Sequence, residues 1–214
     1  MSKVKICGLT READIIAVNA AMPDYIGFVF ATSKRKIEAQ TAAALKEKLN
    51  PQIKTIGVFV NEDIDKITDI YKNKIIDIVQ LHGDEDDTYI KKLKENCGCR
   101  IIKAIGIHDK LPPLPKNADY ILFDTLTPQR GGTGKPFDWD IIKNYNNTIP
   151  YFLAGGMTTQ NVKKAIDTLA PYCIDVSSGV ETNGFKDAEK IKEFVNTCRG
   201  GQQKSEDEPR SPLR

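Results

Sequence analysis

The sequence lacks the features of a membrane protein or a nucleic-acid-binding protein. None of its apolar runs approaches the ~20 residues that a membrane-spanning helix needs. Its 31 basic and 29 acidic residues are well mixed and leave a formal net charge of only +2, which does not suggest a basic nucleic-acid surface. The first strand-like run begins at Lys3, so we expect no signal peptide. We therefore expect a cytoplasmic protein with no membrane or nucleic-acid partner.

The five cysteines do not form the pattern of a disulfide framework or of a zinc site. Their number is odd, and most lie inside strand-like or helix-like segments, which favours a reducing cytosol. Cys97 and Cys99 are separated by one residue rather than the two of a redox or zinc knuckle, and no His or Cys partners surround them. We therefore expect no metal site.

Two glycine-rich nucleotide motifs are also missing. No G-x-G-x-x-G sequence follows the first strand-like run, which disfavours an open doubly wound sheet of the dinucleotide-binding type. No Walker lysine motif occurs in the chain, so nucleotide hydrolysis is not indicated.

Short strand-like runs alternate with helix-like segments along most of the chain. Eight runs are rich in isoleucine, valine, phenylalanine and tyrosine. They cover residues 3–7, 25–30, 54–60, 77–81, 100–107, 119–124, 151–154 and 173–178. The weakest helix candidate between them is 108–118, where three prolines interrupt the pattern. Strands that alternate with helices favour parallel pairing.

This alternation predicts an α/β fold, a single-domain (β/α)8 TIM barrel formed by residues 1–198. The chain length fits the small end of that fold, and the alternative is the open doubly wound sheet. Residues 199–214 contain almost no apolar side chain, and we expect them to form a disordered polar C-terminal tail.

A barrel of this type carries its active site at the carboxyl ends of its strands. Two residues there can exchange protons, Cys7 at the end of the first run and Asp124 at the end of the sixth. Asp124 follows an apolar stretch and is either a general acid or a cap for the following loop. Without the rest of the chain, a cysteine at the position of Cys7 is more typical of a buried packing residue than of a catalytic one. Lys5 and a helix that starts at Thr10 would help to form its thiolate, and the alternative for Lys5 is a residue of the barrel interior that pairs with a carboxylate.

Glycine-bearing turns follow the seventh and eighth runs. Gly155 and Gly156 lie in the first turn, and Ser178 and Gly179 lie in the second. Loops at these two positions of a barrel often bind phosphate through backbone N–H groups, although both would also serve as plain tight turns. Because both positions carry such a turn, we expect a phosphorylated small-molecule ligand.

Two further loops are candidates for binding. Residues 124–139 contain Gly131, Gly132 and Gly134, which is typical of a mobile lid. Arg35 follows the second run, where it either pairs with a carboxylate or belongs to a solvated basic loop.

Seven motifs occur in the order found in one enzyme family. They are KICG (5–8), GFVF with SKR (27–35), GVFVN (57–61), QLHG (80–83), DT with GGTG and FDW (124–139), LAGGM (153–157) and DVSSGVE (175–181). Together they resemble the phosphoribosylanthranilate isomerases from residue 3 to about residue 197.

The resemblance implies a cofactor-free Amadori rearrangement of N-(5-phospho-β-D-ribosyl)anthranilate to 1-(2-carboxyphenylamino)-1-deoxy-D-ribulose 5-phosphate in tryptophan biosynthesis. It also implies Cys7 as general base, Asp124 as general acid and Arg35 at the anthranilate carboxylate. The turns implied to hold the phosphate contain Gly155, Gly156, Ser178 and Gly179. We expect a monomer or a homodimer. Gln80 and His82 share a strand face and receive no role from the sequence.

Two other functions compete with this interpretation. A related sugar isomerase of histidine biosynthesis acts on a larger substrate with two phosphates. Enzymes of that kind are similar to this chain but carry aspartate at the position of Cys7 and have a second phosphate site. The first half of this chain does not show such a second site. A non-catalytic barrel that binds a phosphorylated ligand needs no proton-transfer pair, whereas this chain has both Cys7 and Asp124.

Overall fold

A closed barrel of eight parallel strands forms the centre of the protein. The structure is a computed structural model and describes residues 1–125, 137–145 and 149–200. The strands are Lys3–Cys7 (β1), Tyr25–Val29 (β2), Lys54–Phe59 (β3), Ile78–Leu81 (β4), Ile101–Ile107 (β5), Tyr120–Thr125 (β6), Tyr151–Leu153 (β7) and Cys173–Val176 (β8). Each strand pairs with the next, and β8 pairs with β1. The predicted barrel is confirmed, and the open sheet is excluded because β8 and β1 close the ring.

Helices follow most of the strands. They are Glu12–Ala21 (α1), Ala39–Glu47 (α2), Ile64–Lys72 (α3), Asp87–Cys97 (α4), Asp140–Lys143 (α5), Thr159–Leu169 (α6) and Ala188–Cys198 (α7). A short 3-10 helix, Ser178–Val180, and a hairpin of Glu181–Thr182 (β9) and Phe185–Lys186 (β10) lie between β8 and α7. Residues 108–119 form no helix, as their prolines predict.

Some expectations fall outside the described residues. The glycine-rich part of the predicted lid lies in 126–136, and nearly all of the predicted tail lies in 201–214. Within the described ranges, no helix is long and apolar enough to cross a bilayer.

The interior of the barrel is divided into an apolar lower part and a polar upper part. Phe152 packs against Tyr25, Tyr120 and Tyr172 near the amino ends of the strands, with ring centroids 5.6 to 5.7 Å apart. Above this aromatic cluster lies a polar layer of three buried side chains, Lys5, Gln80 and Asp175. The barrel is therefore closed at the amino end, and its polar groups are directed to the carboxyl end.

An aspartate directly precedes three of the even-numbered strands. Asp24, Asp77 and Asp119 each accept a hydrogen bond from a backbone N–H at the start of the preceding odd-numbered strand. The donors are Val4, Thr55 and Ile101, at 3.0, 2.7 and 2.8 Å. Each carboxylate therefore ties the amino ends of two neighbouring strands together.

We expect Asp77→Ala to lower the free energy of unfolding by about 1–3 kcal/mol, because the N–H of Thr55 loses its acceptor. Burial opposes ionisation of Asp77, but the hydrogen bonds from Thr55 and the charge of Lys46 outweigh it and leave the pKa of Asp77 below its usual range. A lowered folded pKa stabilises the protein above the unfolded pKa, and this stabilisation disappears as the pH falls through the folded value. The difference between wild type and variant should therefore shrink below about pH 3.9.

Denaturant unfolding at several pH values tests this expectation. Asp69→Ala, at an exposed position of α3, is the matched control and should leave the stability nearly unchanged. An Asp77→Ala difference that is the same at pH 7 and in strong acid would contradict the expected role of the charged carboxylate.

Candidate active site

A cavity of about 670 Å³ opens at the carboxyl ends of the barrel strands. The residues that the sequence predicts for the site and that line this cavity are Cys7, Arg35, Asp124, Gly155, Gly156 and Ser178. Gly179 lies beside them, where a Cβ atom would collide with the carbonyl oxygen of Met157. The fold thus brings the predicted site residues into one region, from five different strands and their loops.

Asp124 is held at the end of β6 with its side chain about one quarter exposed. Its Oδ1 accepts a hydrogen bond of 2.7 Å from the backbone N–H of Thr125, and its Oδ2 lies 3.4 Å from Nε2 of His82. Gly155 has a φ of +82°, and a Cβ there would lie 2.5 Å from Oγ1 of Thr125 and 3.3 Å from Oδ1 of Asp124. A glycine is required at that position because the turn after β7 approaches the carboxyl group so closely.

Cys7 ends β1 and is partly buried beside two lysines. Burial raises the pKa of the Cys7 thiol, and the nearby ammonium groups of Lys5 and Lys186 oppose this effect without overcoming it. Helix α1 begins at Glu12, later than the predicted start at Thr10. Lys5 acts on the pKa of Cys7 in the expected direction, but burial is the larger effect, so the net pKa of the thiol lies above its ordinary value.

Arg35 contacts a carboxylate of the protein itself. Its Nε and Nη2 donate to Oε1 and Oε2 of Glu181 at 2.7 and 2.9 Å, and Lys186 Nζ donates to the same Oε1 at 2.7 Å. Burial raises the pKa of Glu181, but Arg35 and Lys186 bring it below the usual range. This pair uses the Nε–Nη2 edge of the guanidinium and leaves the Nη1–Nη2 edge for a second carboxylate. Gly8, with a φ of +85°, leaves the space that the aliphatic part of Arg35 fills.

The polar layer of the barrel reaches this cavity through Gln80 and His82. Lys5 Nζ donates to Oδ2 of Asp175 at 2.7 Å and to Oε1 of Gln80 at 2.8 Å, and Nε2 of Gln80 lies 2.9 Å from Nδ1 of His82. Burial lowers the pKa of Lys5, but Asp175 outweighs it and raises that pKa above its ordinary value. Oδ1 of Asp175 is buried without a hydrogen-bond partner in the described structure.

Sequence reasoning gave no role to several of these residues. Asp175 and Glu181 stand at the two ends of the motif DVSSGVE, and Lys186 follows it on β10. Strand alternation is the sequence pattern that could have indicated Asp175. Lys5 and Cys7 share a face of β1, and Asp175 on β8 is the register partner of Lys5.

The five cysteines are free thiols. Among the residues that the structure describes, no three His, Cys, Asp or Glu side chains are grouped so that they could hold a metal ion. Cys97 donates from Sγ to the carbonyl oxygen of Leu93, one turn earlier in α4, at 3.2 Å.

Comparisons with known proteins show the family of the chain. The sequence model of the family described as N-(5'-phosphoribosyl)anthranilate (PRA) isomerase matches residues 4–197. The chain belongs to this family. An N-(5'-phosphoribosyl)anthranilate isomerase from Endomicrobium trichonymphae is 50% identical over 200 residues, which cover 93% of this chain and 99% of the relative. The protein is therefore an enzyme, an isomerase of tryptophan biosynthesis.

Two solved structures of phosphoribosylanthranilate isomerases share the fold. One, in complex with reduced 1-(o-carboxyphenylamino)-1-deoxyribulose 5-phosphate, has a TM-score of 0.79 at 34% identity and covers 94% of this chain and 100% of its own. The other contains monomers generated from the dimeric isomerase of Thermotoga maritima, with a TM-score of 0.80, 36% identity and the same coverage. The phosphoribosylanthranilate isomerase barrel thus occurs in a dimeric enzyme and in monomers derived from it.

We expect the alkylation rate of Cys7 by iodoacetamide to keep rising above the ordinary cysteine pKa of about 8.5, because burial raises the pKa of this thiol. Lys186→Gln removes one of the two opposing cations and should move the rise to still higher pH. The rate is followed by mass spectrometry, and Cys7→Ser gives the background from the other thiols. A plateau reached below pH 8.5 would show that the cations dominate instead.

Proposed function

We propose that the protein isomerises N-(5-phospho-β-D-ribosyl)anthranilate to 1-(2-carboxyphenylamino)-1-deoxy-D-ribulose 5-phosphate, with Asp124 as general acid and Cys7 as general base. One observation carries the proposal. Both side chains line the same cavity, from β6 and β1, and the turns that follow β7 and β8 lie between them. An acid and a base in this arrangement can act on one small reacting centre held between them.

The chemistry accounts for each role. Asp124 donates its proton to the furanose ring oxygen, the bond from that oxygen to C1′ breaks, and the nitrogen lone pair forms an iminium with C1′. The iminium acidifies the proton on C2′, which the Cys7 thiolate removes to give an enolamine. The enolamine then ketonises to the product. Because the iminium itself accepts the electron pair, this sequence of steps needs neither a metal nor an organic cofactor.

The glycine turns supply donors for the substrate phosphate. In the described part of the chain, the backbone N–H groups of Gly155, Gly156 and Ser178 donate to no protein acceptor. Asn161 Nδ2 donates to the carbonyl oxygen of Gly156 at 2.9 Å and so fixes the turn at the start of α6. Gly179 continues the second turn. Anions are favoured where free N–H groups and the amino end of a helix converge.

Arg35 is assigned to the anthranilate carboxylate. Glu181 fixes the guanidinium in the cavity wall and leaves one of its edges for a second carboxylate. The phosphate and the carboxylate then hold the two ends of the substrate, and the reacting carbons lie between Cys7 and Asp124.

The catalytic unit is assigned to residues 1–198, and the enzyme to the cytoplasm, because five free thiols favour a reducing compartment. Every residue assigned here comes from one chain, so a monomer and a homodimer would both contain complete sites. Complementation of a tryptophan auxotroph that lacks this step tests the function, and a chain that ends at Cys198 should complement as well as the full chain.

We expect Cys7→Ser and Asp124→Asn each to lower kcat by about a hundredfold or more, because each removes one proton-transfer group. Binding of the reduced product analogue should change little. Turnover is followed by the loss of substrate fluorescence, with and without a chelator. Cys97→Ser is the control for thiol replacement and should retain full activity. Near-normal turnover by Cys7→Ala, or loss of wild-type activity on chelation, would contradict the mechanism.

We expect Arg35→Ala to weaken binding of the reduced product analogue about tenfold or more, because a charged pair with the carboxylate is lost. Inorganic phosphate should bind to the variant as it does to wild type. Calorimetric titration measures both ligands. Lys36→Ala, which removes a charge from an exposed position of the same loop, is the control. Equal weakening of both ligands would argue against the assignment.

A further inference from the structure

A continuous line of polar contacts connects the floor of the cavity to Asp124. Lys5 contacts Oε1 of Gln80 at 2.8 Å, Nε2 of Gln80 lies 2.9 Å from Nδ1 of His82, and Nε2 of His82 lies 3.4 Å from Oδ2 of Asp124. Lys5 and Gln80 are buried, with 0 and 1% of their surface exposed. None of the roles proposed above uses Gln80 or His82.

The donor and acceptor chemistry of these groups allows one arrangement of protons. An ammonium group has only donors, so the side-chain oxygen of Gln80 must face Lys5. The amide NH₂ of Gln80 then faces His82, and Nδ1 of His82 must accept. A neutral imidazole carries one N–H, which is therefore on Nε2, the nitrogen that faces Asp124.

We infer that Lys5, acting through Gln80, fixes His82 in the tautomer with its proton on Nε2, and that His82 in this form positions the carboxyl group of Asp124. The inference rests on the proposed role of Asp124 as general acid. Gln80 and His82 are positioning residues, since they act on the acid and not on the reacting atoms.

The chosen tautomer matters because Asp124 becomes a carboxylate when it gives up its proton. Oδ1 then accepts from the N–H of Thr125, and Oδ2 faces the N–H of His82. The other tautomer would point a lone pair of Nε2 at the new negative charge. It would also turn the NH₂ of Gln80 toward Lys5, so that two donors would face each other in a buried layer, which is unfavourable. The contact of 3.4 Å is of the kind that shortens when ligand fills a site.

The tautomer is measured directly by ¹⁵N NMR of histidine-labelled protein. The chain has two histidines, and His108 is exposed, so a His108→Gln variant assigns the ring signals of His82. We expect a bare Nδ1 and a protonated Nε2 in wild type. In Gln80→Glu a carboxylate replaces the amide donor, and we expect Nδ1 of His82 to gain a proton.

The effect on catalysis is measured by a double-mutant cycle on kcat. Gln80→Glu should lower kcat about tenfold to a hundredfold when His82 is present. In His82→Gln, the amide nitrogen of the new side chain takes the position of Nε2. This nitrogen is a donor whichever residue occupies position 80. The variant should retain far more activity than His82→Leu, and adding Gln80→Glu to it should have little further effect. Gln40→Glu, at an exposed position of α2, controls for the added charge.

The outcomes separate this inference from the proposed function. A protonated Nδ1 in wild type, equal activity of His82→Gln and His82→Leu, or an equal effect of Gln80→Glu in both backgrounds overturns the inference. The NMR result and the comparison at His82 remain decisive if Gln80→Glu fails to fold. A wild-type protein without isomerase activity, or full activity of Asp124→Asn, would instead overturn the proposed function.

Discussion

The ion pair between Lys5 and Asp175 is the contact on which the rest of the site depends. The two residues are register partners on β1 and β8, the strands that close the barrel, and Nζ lies 2.7 Å from Oδ2. Both are buried, and either one alone would be a buried charge without a partner, which is strongly destabilising. Closure of the barrel and the electrostatics of its mouth are therefore linked. The same ammonium group lies close enough to Cys7 to act on its charge and orients Gln80.

The raised pKa of Cys7 follows first from burial of the thiol, which disfavours the thiolate. Lys5 and Lys186 oppose this effect, but the carboxylate of Asp175, 2.7 Å from Lys5, acts in the same direction as burial. The thiol therefore stays protonated to higher pH than an ordinary cysteine. In the proposed mechanism, a positive charge without a protein counter-ion arises on the substrate when its ring opens. A thiolate of high basicity is then a strong acceptor for the C2′ proton, although a small fraction of the protein carries it.

Residue patterns predicted the barrel well because strand alternation and the residues that start and end helices are local properties of the sequence. All eight strands were located, and the ends of β1 and β6 placed Cys7 and Asp124 at one rim. The pairing of Arg35 with Glu181 was not predictable in this way, because it joins residues 146 positions apart. Alternation indicates the face of a strand to which a side chain points, but not which long side chains meet across a closed interior. The start of α1 was misplaced for a local reason, since the carboxylate of Asp14 accepts the N–H groups of Thr10 and Arg11 ahead of the helix.

Three levels of the barrel carry three different tasks. At the amino end, an aromatic cluster and the aspartates that precede even-numbered strands contribute stability, far from the cavity. At the carboxyl end, the side chains that face the ligand carry the chemistry. The buried polar layer between them belongs to neither group, because it is built from polar contacts and its amide and ammonium groups have no role in the proposed proton transfers. In the inferred arrangement, its hydrogen bonds decide which atom of His82 bears a proton, and so a buried lysine on β1 acts on Asp124, the proposed acid, at the far side of the mouth.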